Sequence, residues 1–341
     1  MYRRALTLSL AGVLTVLLTV GASVLPVPYV SYLPGPTFDT LGEVGGTPVI
    51  AVEGRETFPT EGQLDLTTIS VRSQLTLTEA LRDWFDRDRA VVPREFVFPP
   101  GDSDEEVRRR NEERKLESEN AATFAALRQL EIPFTTRVQV QRVERGLPAD
   151  GRLEAGDVLT SVDGRPVDGS AALRDLISSR PPGTELRVGF EREGEPAETA
   201  LTTTQPEGED RSIIGVVLAE MPEYSFTIDI TLQDVGGPSA GLMFALGIVD
   251  KLEPESLTGG RYVAGTGTIS NEGVVGPIGG IPQKLVAARE KGAEVFLVPE
   301  GNCAEAAERV PDGLRLVKVA SLSEALDALE TLEQGGEPAG C

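Results

Sequence analysis

The sequence predicts a multidomain protein of mixed α+β and α/β class: an N-terminal apolar helix, a small β-rich module and a C-terminal layered α/β domain. Three observations carry this expectation. An uncharged, Leu- and Val-rich stretch spans residues 5–26, directly after the basic pair Arg3 and Arg4. Short valine-rich runs crowd residues 134–204, and from there to the end strand-like and helix-like segments alternate, the pattern of a layered α/β structure. The chain has 341 residues, enough for two or three domains that each bury a core.

The apolar stretch is long enough to cross a bilayer as one helix. The positive-inside rule keeps Arg3 and Arg4 in the cytoplasm and sends everything after the stretch to the outer face of the cell membrane. A cleavable signal peptide is the alternative, because Val20, Gly21 and Ala22 offer a small-residue cleavage site. The run exceeds the roughly 7 to 15 residues of a typical signal core, however, so a retained anchor is expected. Both readings export the rest of the chain. The expected divisions are 1–28 for the cytoplasmic tip and anchor, 29–131 for a juxtamembrane linker with strands and a charged helix, 132–205 for the β-rich module, 206–334 for the α/β domain and 335–341 for a tail.

Pro28, Pro34, Gly35 and Pro36 hold the start of the exported chain extended, as a linker beside a membrane would be. Residues 49–52 and 64–71 read as strands around a turn at Pro59, Thr60, Glu61 and Gly62, and 78–85 as a short helix. Ser103 and Glu106 form a capping box that opens a helix running to about Leu130. Its many charges suggest a solvated connector between domains. In the β-rich module, Val138, Val140 and Val143, then 157–162 and 186–190, read as strands, with a turn at Asp163 and Gly164 and a helix at 170–178. Beyond it, strands are expected at 224–232, 295–298 and 314–319. Helices are expected at 240–252, 284–291, 303–309 (capped by Asn302) and 321–332 (opened by a box of Ser321 and Glu324).

Charge and residue counts exclude several kinds of chemistry. With 32 basic and 54 acidic residues the net charge is -22, which repels nucleic-acid phosphates and argues against a nucleic-acid partner. The chain has no histidine, so Ser-His-Asp triads, Cys-His dyads and His-ligated zinc are impossible within it. Cys303 and Cys341 are too few and too far apart for a metal or redox motif. They are read either as two free thiols or as one disulfide tying the tail to the preceding domain outside the cytoplasm. No metal or other cofactor is expected.

One segment carries the marks of a nucleophile. In Gly236-Gly237-Pro238-Ser239-Ala240-Gly241 a serine stands among small residues at the junction of a strand and an apolar helix. Small neighbours admit a substrate backbone, and the backbone at Gly237, Pro238, Ser239 and Ala240 lies where a helix N-terminus can stabilise an oxyanion. The same spacing matches the nucleophile elbow of α/β-hydrolases, but that elbow needs a histidine. The plainer alternative is that Ser239 only caps the helix. Without histidine the base must be Lys, Asp or Glu, and a lysine serves only where its surroundings lower its pKa. Lys284 is the candidate: it opens a helix, whose positive end disfavours an ammonium, and Ile281, Leu285 and Val286 are placed to exclude water. An ordinary surface lysine is the competing reading.

Two resemblances extend this. Arg152-Leu153-Glu154-Ala155-Gly156-Asp157-Val158-Leu159 followed by Val162-Asp163-Gly164-Arg165-Pro166-Val167 resembles the bacterial PDZ signature. It implies a peptide groove closed by the helix at 170–178, in which a peptide adds as a strand to a sheet edge; a spacer that binds nothing is the alternative. The segments around Ser239 and from Pro277 to Ala288 resemble the two catalytic motifs of the Lon proteolytic domain. The intervening Gly265-Thr266-Gly267-Thr268-Ile269 resembles the family's Thr-Gly stretch, and by that match Thr266 would orient Lys284. The order of anchor, PDZ module and Lon domain is similar to that of the membrane-anchored PDZ-Lon proteases of bacteria, whose N-terminal region also resembles Gly62-Gln63-Leu64-Asp65-Leu66-Thr67-Thr68. Gly236 stands where Lon usually has an acidic residue, with Asp234 two positions earlier. The resemblance implies a Ser239–Lys284 serine endopeptidase acting on protein or peptide substrates. It works without ATP, since no Gly-Lys-Ser/Thr phosphate loop occurs in the chain, and assembly into a homo-oligomeric ring fits the family. The alternative from another class is a non-catalytic exported adaptor with a structural Lon-like domain.

Overall fold

The computed structural model describes residues 2–206, 211–232 and 235–341. Helix α1 (Tyr2–Val24) has exposed side chains from Arg4 to Val20; within it Arg4–Gly21 is long and apolar enough to cross a membrane. Short strand β1 (Pro26–Val27) leads into β2 (Tyr29–Asp39), then β3 (Ile50–Glu53), β4 (Gln63–Arg72) and β5 (Leu75–Thr76). Helix α2 (Leu77–Phe85) follows, opened by a capping box of Thr76 and Glu79, and then β6 (Ala90–Pro93). Helix α3 (Asp104–Gln129) begins at the Ser103–Glu106 box, both of whose hydrogen bonds form. The β-rich module comprises β7 (Thr135–Val143), β8 (Val158–Val162), α4 (Gly169–Ser178), β9 (Glu185–Arg192), β10 (Glu195–Thr202) and β11 (Val216–Glu223). The last part holds β12 (Thr227–Ile230), α5 (Gly241–Leu252), β13 (Tyr262–Gly265), α6 (Ile281–Lys291), β14 (Val295–Pro299), α7 (Cys303–Ala307), β15 (Arg315–Val319) and α8 (Leu322–Glu333).

The main sheet has the order β15-β14-β13-β4-β2-β6. Strands β15, β14, β13 and β4 are parallel, and β2 runs antiparallel to β4 and β6. Alternation with period two sends Val263, Val295, Leu297 and Val317 into one core with α5 and α8, and Ala264, Phe296, Val298 and Leu316 into another with α6. Burial on both faces is why β14 reads as a continuous apolar run.

The sheet corrects the reading of the N-terminal region. Residues 29–37 are extended as expected, but they are no linker: they form β2, hydrogen-bonded on both sides. Pro34 and Pro36 fall where the β2–β4 register shifts, between Pro34 and Thr37, so their missing N–H groups cost the ladder little. Nor is α3 a solvated connector. Ala121, Ala122, Phe124, Ala125, Ala126 and Leu127 are buried and pack against α5, while the charges crowd the first half of the helix.

Smaller differences follow the same logic. Asn302 does not cap α7; its side chain accepts from the Ile278 N–H (2.8 Å) and donates to the Ile278 carbonyl (2.9 Å), clamping the loop before α6. Ser321 does accept from the Glu324 N–H, but Glu324 reaches back to Ala320 N–H. Of residues 224–232 only β12 is strand, paired with β3.

The β-rich module has its own sheet, in the order β10-β9-β8-β7-β11, and its own core of Val138, Val140, Leu159, Leu173, Leu186, Val188 and Phe190. Strand β11, which lies past residue 205, completes that sheet. Thr135 and Glu223 are register partners across β7 and β11, so the chain enters and leaves the module at one point, between α3 and β12. Cys303 and Cys341 form a disulfide, and the Ala339 carbonyl accepts from the Lys318 N–H (2.9 Å), which lays the tail along the outer edge of β15.

Candidate active site

Ser239 lies in the turn before α5, half-buried, with Ala240 as the N-cap residue. Its hydroxyl does not cap the helix. Ser239 Oγ lies 2.9 Å from Lys284 Nζ, so the capping alternative falls away. The turn depends on two glycines. Gly237 takes a φ of +83°, which an L side chain rarely adopts. A Cβ at Gly241 would lie 2.8 Å from Ile269 Cγ2 and from Ser118 Oγ, so only glycine lets α5 start this close to its neighbours.

Lys284 reaches the serine from the first turn of α6 and is 2% exposed. Burial pushes its amine down from the ordinary 10.5 to about 7, because an ammonium loses most of its solvation there. Thr266, fully buried at the end of β13, lies 2.8 Å from Lys284 Nζ and donates its hydroxyl to the Ser239 carbonyl (3.0 Å). With its proton committed there, Thr266 can only accept from the amine, which turns the lone pair of a neutral lysine toward Ser239. The Gly267 N–H also donates to the Ser239 carbonyl (2.9 Å), and the Gly267 carbonyl accepts from the Leu242 N–H. The three segments singled out in the sequence thus meet at one point.

The four backbone positions named for an oxyanion are not equivalent. Pro238 has no N–H to give, and the Gly237 N–H is engaged by the Asn111 carbonyl (3.0 Å). Ser239 and Ala240 are the remaining donors of that group. Asp234 lies outside the described residues, and among those described no group of three or more acidic or cysteine side chains could hold a metal.

Sequence reasoning missed the part played by α3. Besides Asn111, Ser118 Oγ donates to the Pro238 carbonyl (3.1 Å) and Lys115 Nζ to the Leu232 carbonyl. The signal was present in the apolar run from Ala121 to Leu127, which marks one end of the helix as core. Beside the serine turn an open cleft of about 520 Å³ is lined by Ser118, Pro238, Ile269, Ser270 and Asn271.

A second cleft, of about 430 Å³, lies in the β-rich module between α4 and the start of β11, with Arg174, Ile177, Ile214, Gly215, Val216 and Leu218 in its walls. Glu220 of β11 stands between the two clefts. It accepts from the Ser170 N–H and hydroxyl at the start of α4 and from Asn271 Nδ2 (3.0 Å) beside the serine turn.

Comparison with known proteins finds two families in the same order, with bounds that differ from those of the folded units: the first match begins within α3 and ends before β11. Residues 107–203 match the PDZ domain family, and residues 233–331 match the Lon protease (S16) C-terminal proteolytic domain. Over 95 residues the chain is 35% identical to Lon protease 2 of Bacillus subtilis, which covers 28% of this chain and 17% of that protein. It is also 38% identical over 79 residues to the periplasmic pH-dependent serine endoprotease DegQ of Escherichia coli, covering 21% of this chain and 17% of that one. The chain therefore spans about a sixth of the length of either relative. The PDZ domain of an SdrC-like protein from Listeria monocytogenes is 26% identical, covers 24% of this chain and 85% of its own, and has a TM-score of 0.23.

Proposed function

We propose, from a chain that joins a PDZ domain to a Lon-type proteolytic domain, that this protein is a membrane-anchored serine endopeptidase working through Ser239 and Lys284 outside the cytoplasm. The observation that carries the reading is the 2.9 Å pairing of Ser239 Oγ with a fully buried lysine, whose amine pKa is lowered by burial to about 7 so that its neutral form is accessible near neutral pH. Neutral Lys284 takes the proton from Ser239 Oγ as the oxygen attacks a peptide carbonyl. The carbonyl oxygen becomes an oxyanion held by the Ser239 and Ala240 N–H groups. Collapse expels the amine, which leaves with the proton from Lys284, and an acyl-enzyme remains. Water then attacks the ester with Lys284 again as base, releasing the acid and restoring Ser239. Thr266 keeps the amine aimed throughout. No ATP is needed for these steps, and extended or unfolded polypeptides fit the open cleft beside Pro238.

A peptide boronate tests this, since boron forms a tetrahedral adduct with an attacking serine oxygen. The adduct is expected on Ser239 alone and is expected to vanish in Ser239→Ala; modification elsewhere, with Ser239 untouched, would remove the nucleophile assignment.

The PDZ domain is assigned to substrate capture, on the strength of the cleft between α4 and β11, where a bound strand would extend the sheet at the β11 edge. The register of Thr135 with Glu223 suggests a clean test. Replacing residues 135–223 by a short Gly-Ser linker should leave hydrolysis of small peptides largely intact, because the contacts it removes, Glu220–Asn271, Arg142–Glu113 and the packing of β11 on α3, do not touch Ser239, Lys284 or Thr266. Cleavage of a protein substrate should drop roughly tenfold or more, the scale lost when a tethering contact is removed. Equal loss on both substrates would make the module purely structural.

A further inference from the structure

Helix α2 carries an apolar stripe that the folded chain leaves bare. Leu77, Leu81, Trp84 and Phe85 recur at the spacing of one helix face and are 42%, 52%, 66% and 82% exposed. The opposite side is firmly held. Asp83 is fully buried and meets Arg89 (2.6 Å) and Arg72 (3.5 Å), which ties α2 to the end of β4, and Ala80 is buried beside it. The stripe is therefore a fixed surface rather than a floppy one. None of these side chains serves the catalytic site or the PDZ cleft.

The position of α2 identifies what would cover this face. Strand β1, immediately after α1, pairs with β5, immediately before α2, with Pro26 opposite Thr76 and Val27 opposite Leu75. Helix α1 itself lies against α2 and β5. Where α1 leaves a bilayer, α2 is consequently at the same level, and its stripe remains bare with α1 in place. Trp84 is the only tryptophan of the chain, and tryptophan is the residue most at home at a membrane–water boundary. With a net charge of -22, attachment through apolar side chains rather than through charge is what this chain can sustain.

We infer that α2 is an interfacial helix, lying in the headgroup layer of the bilayer that α1 spans, with Leu77, Leu81, Trp84 and Phe85 inserted. The inference rests on the anchor reading of α1 and adds to it a fixed height for the active site. Strand β4 leads from Leu66, opposite Gly265 beside Thr266, to Arg72 under α2. That is roughly 20 Å of strand at about 3.3 Å per residue, so the serine faces polypeptide segments close to the lipid surface.

The lone tryptophan provides the test. The full chain is reconstituted into phosphatidylcholine vesicles, washed at alkaline pH and floated, and Trp84 fluorescence is then read against iodide in the water and against lipids brominated near the headgroup end of the tails. Expected are retention of the chain after the wash, a blue-shifted emission, quenching by the brominated lipid and loss of iodide quenching. The double variant Leu81→Asp, Phe85→Asp changes only exposed positions and keeps Trp84; it should stay in the vesicles and fold normally, with Trp84 returned to iodide. Quenching of wild-type Trp84 by iodide in washed vesicles overturns the proposal while leaving the anchor intact. So does shielding from both quenchers, which would mean that protein covers the stripe. Loss of the chain in the wash removes the anchor and the interfacial helix together.

Discussion

Hydrolysis is expected to vanish in Ser239→Ala with the fold intact, since no other group supplies the attacking oxygen. Lys284→Arg should be nearly as damaging, because a guanidinium keeps its proton at any working pH and cannot act as a base. Thr266→Ala should be milder, costing on the order of 1 kcal/mol, about fivefold in rate, if the loss is one hydrogen bond to the amine. The pH profile follows from the sign of the lysine shift. The neutral amine is the active form and its pKa is lowered from 10.5 to about 7, so wild-type activity should rise with pH through about 7 and level off above it. Peptide turnover across pH 5 to 9, with circular dichroism as the fold control, checks all of this. Wild-type turnover in a folded Lys284→Arg protein would end the Ser-Lys mechanism.

Lys284→Met should be inactive yet more stable than the wild type near neutral pH. The unfolded chain holds the lysine proton up to about 10.5 and the folded chain only to about 7. Between those values the unfolded state binds more protons, so wild-type stability increases with pH; below about 7 the full penalty of burial is present. Methionine fills the same space without titrating. Allowing for the bonds lost to Ser239 and Thr266, the variant should gain on the order of 3 kcal/mol at pH 7. The advantage should shrink steadily toward pH 10. Paired denaturant melts at several pH values measure it, and a constant gap would mean that the amine is not neutral in the folded state.

How much of this was legible in the sequence depended on whether the information was local. Ser239 and Lys284 each sit in a short run whose glycines and apolar neighbours mark it, Thr266 is reached only through the resemblance to the Lon Thr-Gly stretch, and in the structure the three side chains meet. The engagement of Gly237 by Asn111 was not legible, because it joins segments far apart in the chain and leaves no periodic trace. Residues 29–37 were misread because their prolines argue against a paired strand, and only the register shift at Pro34 reconciles the two. Helix α3 misled through its average: the charges of its first half hide the buried half that holds the serine turn. That β4 belongs beside β13 is a fact about pairing, which a strand's own residues do not encode.

The place of β4 in the sheet sets an order of events in folding. Thr67 donates to the Gly265 carbonyl across 198 positions of chain, with the whole PDZ domain made in between. A polypeptide emerging N-terminus first presents β2, β4 and β6 as an incomplete sheet, and the bare side of β4 carries unpaired N–H and C=O groups. The inserted domain has its own core and adjoining ends, so it can close while that edge still waits. Docking of β13 on β4 is a long-range parallel pairing, of the kind that delays folding. Until it happens, the open edge of β4 is where a chaperone that grips extended chain, or a second unfinished copy, will find this protein.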